Sequence, residues 1–98
     1  MIFEIRFGVE AGTTYSALAA QLNERWGEKF VLKFESKVKK SLITIASNPY
    51  LYAIVHKEMQ LRKCVLHKNC SILYTIIKDI VLVVAFWDNR QDALDGNT

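Results

Sequence analysis

Arg62, Lys63 and Arg90 are the residues of this 98-residue chain best suited to chemistry on an anion. An arginine presents a planar fork of donors that matches phosphate or carboxylate, and a lysine adds a compact charge. Polar and aromatic neighbours accompany them. The apolar run Ile80–Trp87 ends abruptly in Asp88, Asn89, Arg90, Gln91 and Asp92, and Lys68 lies on a preceding loop. A strand that delivers an arginine to a sheet edge, with Asp88 and Asn89 to orient it, is suited to a phosphate or an acidic partner. Trp87 adds an apolar contact. Arg62 and Lys63 are adjacent, so on a strand they point to opposite faces and only one can join Arg90. Lys63 is favoured, because Arg62 shares its side with Cys64 and Leu66, which read as buried. The plain alternative is that Arg90 pairs with Asp88 or Asp92 at the strand end.

Other chemistries find little support. The sequence has no glycine-rich phosphate loop, no His-Glu-x-x-His and no Cys-x-x-Cys, so neither a metal nor a cofactor is expected. His67 reads as an exposed imidazole in a hairpin loop. His56 reads as a surface residue, with a proton-shuttle role only if it reaches Asp88 or Arg90. Cys64 and Cys70 read as buried thiols that could face each other across a hairpin. The net charge of +3 is too small for a dedicated duplex-DNA binder. The basic residues gather in the middle of the chain, from Lys29 to Lys78, which suits RNA or an acidic protein surface.

The elements that must position these groups follow from periodicity. Residues 2–7 alternate as a half-exposed strand. Gly8 and Gly12 bracket a loop, with Thr13 or Thr14 capping a first helix over 15–26. Tyr15, Leu18, Leu22 and Trp26 form its apolar stripe, and Gly27 ends it. A second helix over 28–46 buries Phe30, Phe34, Val38, Leu42 and Ile45. Lys33, Lys37 and Lys40 form a separate stripe that reads as a solvated face. Asn48-Pro49 stops that helix, and 50–59 reads as an ordered loop or a short helical turn. Strands then follow over 60–66, 71–78 and 80–87. Lys78-Asp79 makes a tight turn in which Asp79 takes a positive φ. The last strand is apolar on both sides and so must be internal. One domain over 1–98 is expected, with 93–98 a polar tail. The longest apolar run, Ile80–Trp87, is too short to span a bilayer. No membrane association is expected, and the location expected is the cytoplasm.

This order of weak motifs resembles the RelE/ParE superfamily of type II toxin–antitoxin toxins. Arg62 and Lys63 fill the family's basic strand positions, and Ile72-Leu73-Tyr74 fill its tyrosine strand. Phe86 to Asp92 fill the arginine-bearing ending, although Ala93 stands where the family has proline. The resemblance implies an α+β fold of order β-α-α-β-β-β. A two-helix hairpin packs on one face of a four-stranded sheet with strand 4 central. It also implies a cognate antitoxin as partner, with Trp26, Tyr50, Tyr52 and Trp87 as contact candidates, and it allows a homodimer. One branch cleaves mRNA on the ribosome, which would make Arg90, Lys63 and Arg62 catalytic and Lys68 an auxiliary cation. That branch carries an arginine where this chain has Ser71, and a late tyrosine with no counterpart here. The other, ParE-like branch inhibits DNA gyrase by binding. The two gaps favour binding to a target such as gyrase, or lost activity, over an mRNA endoribonuclease. A generic small RNA-binding or protein-interaction module is the remaining reading.

Overall fold

The computed structural model describes residues 2–68 and 70–89. Seven elements follow in order: β1 Glu4–Phe7, α1 Val9–Trp26, α2 Glu28–Ser47, β2 Ile54–His56, β3 Leu61–His67, β4 Cys70–Ile77 and β5 Ile80–Asp88. The strands form one sheet in the order β1-β5-β4-β3-β2. β1 runs parallel to β5, and every other pair is antiparallel. The apolar strand β5 is internal, as its two-sided hydrophobicity requires.

The sheet has five strands where four were expected. The extra strand, Ile54–His56, is short and is offset by a bulge against β3. Three residues are too few to show an alternation, so the stretch reads as loop. Helix α1 also starts six residues earlier than its stripe suggests. Gly8, extended at φ −73° and ψ 170°, occupies the cap position, and Gly12 lies inside the helix. Thr13 and Thr14 do not cap; their hydroxyls donate to the carbonyls of Val9 and Glu10. Gly27 breaks the helical pair at φ 90°, a conformation that side-chain-bearing residues rarely adopt, and its N–H closes on the Asn23 carbonyl at 2.9 Å. At the 78–79 turn Lys78, not Asp79, takes the left-handed conformation, at φ 57°.

One face of the sheet meets the helices. Phe34, Val38 and Ile45 of α2 pack with Ala11 of α1 and with Cys64, Leu66, Ile72, Tyr74, Val81, Val83 and Phe86 of the strands. Leu18, Leu22 and Leu42 border this core. A bulge in β5, between the pairs Leu73↔Ala85 and Tyr74↔Val83, leaves room for a tie to α1. There the Phe86 N–H donates to Thr14 Oγ1 at 2.9 Å. The centre of the second face is buried as well: Leu61, Leu73, Ala85 and Ser71 are each less than a tenth exposed. The two cysteines do not face each other. Cys64 lies opposite Ile72, and Cys70 lies opposite His67, both buried as free thiols.

Candidate functional site

The basic residues of β3 separate, as strand parity demands. Arg62 turns toward the helical side and is held by main chain. Its Nη1 donates to the Tyr52 carbonyl at 2.6 Å and approaches the Tyr50 carbonyl at 3.4 Å. Its guanidinium sits 5.2 Å from the centre of the Tyr50 ring. Tyr74 supports the same loop by donating to the Pro49 carbonyl at 2.5 Å. Arg62 therefore fastens the segment after α2. Lys63 lies on the second face, in one cross-strand row with Leu73 and Ala85, and is half-buried.

The cluster after β5 is also partly structural. Asn89 accepts a hydrogen bond from the buried Ser71 hydroxyl at 2.8 Å, and its amide donates to the His67 and Lys68 carbonyls at 3.3 Å each. Asn89 thus ties the β3–β4 hairpin to the end of β5, a role different from orienting Arg90. Arg90 itself lies outside the described residues. Asp88 stands opposite Cys70. Burial, and secondarily the Asp88 carboxylate, push the Cys70 thiol up to about 12. Trp87 is half-buried, and its indole N–H finds no acceptor among the described residues. His56 accepts the Met59 N–H on its Nδ1. It sits on β2, three strands from β5 and so about 14 Å away, which removes it from any site at Asp88.

A second constellation was hidden in the sequence. The C-terminal half of α1, the N-terminal half of α2 and the β3–β4 hairpin enclose a groove of about 500 Å³. Helix α1 contributes Leu18, Leu22 and Trp26 to its walls, with Gln21 and Arg25. Helix α2 contributes Phe30 and Phe34, with Lys33 and Lys37. The hairpin closes it with His67, Lys68 and Cys70. The Phe30 ring meets His67 edge-on at 6.1 Å and lies tilted by 31° against Trp26 at 5.8 Å. The lysine stripe read as merely solvated therefore borders an apolar groove over two of its positions, Lys33 and Lys37. The neighbouring Phe30/Phe34 repeat, four residues apart like the lysines, was the available signal. The opposing wall lies some 35 residues away in sequence, and periodicity cannot report it.

The other expected contact residues divide. Trp26 and Tyr50 are exposed, whereas Tyr52 and Trp87 are half-buried. Burial, and secondarily the neighbouring Cys64 thiol, raise the Tyr52 hydroxyl above its ordinary value. No cluster of three or more metal-binding side chains occurs among the described residues, and no helix is long and apolar enough to cross a membrane.

No protein-family model matches the chain, and no curated protein matches its sequence. Its structure is similar to that of a chain from the chromosomal ParDE TA system of P. aeruginosa, with a TM-score of 0.75 over 89% of this chain and 96% of that one, at 9% identity. The fold, two helices packed on a five-stranded sheet, is of the ParE/RelE type.

Proposed function

We propose that this chain is the toxin component of a type II toxin–antitoxin module. It acts by binding a protein target such as DNA gyrase, or has lost its activity, and it does not cleave mRNA. The fold supports the class. One observation carries the choice within it: among the described residues, the adjacent basic positions of β3, Arg62 and Lys63, turn to opposite faces of the sheet and so do not aim at one phosphate. Stabilising a pentavalent phosphate takes several donors aimed at one point. Ser71, where the cleaving branch has an arginine, is fully buried and bonded to Asn89. Arg62 is directed at the carbonyls of Tyr50 and Tyr52 on the helical side, away from Lys63. A cognate antitoxin is the expected partner, with exposed Trp26 and Tyr50 among its contacts.

Induced expression in bacteria tests the reading. Growth arrest with SOS induction and trapped gyrase–DNA complexes is the expected result. Codon-positioned mRNA cuts in primer extension, lost in Arg90→Ala or Lys63→Ala, would overturn it in favour of the endoribonuclease. No arrest at any expression level would support lost activity or a generic interaction module.

A further inference from the structure

We propose that the free edge of β1 is a self-association site, at which two copies of this chain pair antiparallel about a two-fold axis through Ile5 and join their sheets into one. Such pairing needs neither a target nor an antitoxin, so it goes beyond the function proposed above.

The two edges of the sheet differ. At β2 the edge is three residues long and bulged against β3, features that discourage a further strand. At β1 the backbone runs over Glu4–Phe7 in unbroken register with β5, and no proline or bulge blunts it. The Glu4 N–H donates to the Asp79 carbonyl at 3.1 Å, and the Gly8 N–H donates to the Val83 carbonyl at 2.9 Å. Alternation along a parallel ladder then turns the N–H and C=O groups of Ile5 and Phe7 away from β5, toward the edge. Phe3 faces the same way. Its N–H is taken by the Ala46 carbonyl at 2.8 Å, which leaves its own carbonyl as an acceptor. Exposed apolar residues border this edge: Ile2 at 76%, Phe7 at 56% and Val9 at 90%. An unpaired edge with apolar borders is a template for another strand.

The sequence of β1 selects a second copy as that strand. With Ile5 opposite the other copy's Ile5, antiparallel pairing sets Glu4 opposite Arg6 and Phe7 opposite Phe3. The two Ile5 residues exchange N–H···O bonds, and each Phe7 N–H meets an outward Phe3 carbonyl. This register therefore uses the groups that the fold turns outward. Glu4 and Arg6 fall at the non-hydrogen-bonded position, where facing side chains come closest. Within one chain they already form an ion pair, with both side chains more than half exposed. Across the two-fold axis the two pairs combine into one alternating set of charges. A run of lysines on an edge repels its own copy, whereas an acid and a base two residues apart attract one. Ile2 falls opposite Gly8, beside Val9, so the apolar borders of the two edges also meet.

Sedimentation of the full-length protein over a concentration series reads the association. The interface is small, so half-association is expected at about 0.1 mM, weakening as salt rises. Arg6→Glu makes the edge wholly acidic, and Glu4→Arg makes it wholly basic; both positions are exposed, and circular dichroism checks that the variants stay folded. Each variant alone should sediment as a monomer where the unaltered chain is half-associated. Mixed in equal amounts, the two should associate again, because an acidic edge then faces a basic one. Amide exchange reads the register. The Ile5 and Phe7 amides should slow in proportion to the fraction associated, whereas the Glu4 amide, already bonded to Asp79, changes little. A chain that stays monomeric up to about 1 mM would overturn the proposal. So would association that survives Arg6→Glu, variants that fail to associate on mixing, or association that leaves Ile5 and Phe7 exchanging freely. Protection of these two amides only with a co-expressed antitoxin, the chain alone being monomeric, would assign the edge to that protein instead.

Discussion

Arg62 reaches back 10 to 12 residues along the chain to hold three groups of one loop: the Tyr50 and Tyr52 carbonyls and the Tyr50 ring. Replacing it with methionine keeps the aliphatic stem but leaves the Tyr52 carbonyl without its charged donor. Arg62→Met should therefore lower stability by about 2 kcal/mol in urea denaturation. Lysine at the same position should recover only part of that, because it lacks the planar fork. Tyr74 and Cys70 predict a pH dependence. Burial first of all holds the Tyr74 hydroxyl up at about 12 against an ordinary 10.0, and Cys70 at about 12 against 9.0. The folded state thus prefers both groups neutral, while the unfolded chain ionises them near their ordinary values. Their contribution is complete below those values and is lost as pH rises from 9 toward 12. The urea midpoint should fall across that window. Cys70→Ala should flatten the fall above pH 9, and Tyr74→Phe should flatten it above pH 10. A midpoint that is level up to pH 11, where the first part of the fall is due, would contradict both assignments.

At the scale of elements, the register of α1 on the sheet depends on one side chain. Thr14 gives its proton to the Glu10 carbonyl and takes the Phe86 N–H, which the bulge in β5 presents to it. Thr14→Val keeps the shape and removes the acceptor. It should cost about 1–2 kcal/mol, the penalty of a part-buried donor left unpaired. Amide exchange at Phe86 should accelerate by more than exchange at Val83, which the core holds independently. The β3–β4 hairpin has a similar tie in Asn89, which accepts from Ser71 and reaches the carbonyls of His67 and Lys68. Asn89→Ala should loosen that hairpin. Because His67 and Lys68 close the groove, it should also weaken any ligand bound there, visible as broadened amide signals over 66–70.

For the molecule as a whole, charge placement separates two surfaces. Lys63 lies on the second face of the sheet, whereas Arg25, Lys33, Lys37 and Lys68 border the groove on the helical side. If protein binding is the activity, Lys33→Glu with Lys37→Glu should disturb partner binding, measured by titration, while Lys63→Ala leaves that titration unchanged. If RNA cleavage were the activity, the sensitivity would be reversed, and primer extension would report it.

The residue types fixed much of this molecule before any folding was known. Alternation and stripes marked the first strand, both helices and the three long strands, because burial of one face imposes its period on the sequence. The two-sided hydrophobicity of Ile80–Trp87 placed it inside the sheet, and parity separated Arg62 from Lys63. Three features were decided only by the tertiary structure. Ile54–His56 is a strand because β3 offers it an edge, not because three residues carry a pattern. Thr14 gave up its expected capping role because Gly8 starts the helix earlier and the bulged β5 needs an acceptor. The groove exists because Gly27 folds α2 back beside α1 while Asn89 holds the β3–β4 hairpin against them. Lys33 and Lys37 look solvated along one helix, and acquire an apolar neighbour and a facing cation only when residues 30 or more positions away close the third wall. Local sequence encodes which side of an element is buried; which two exposed sides confront each other is a property of the packed whole.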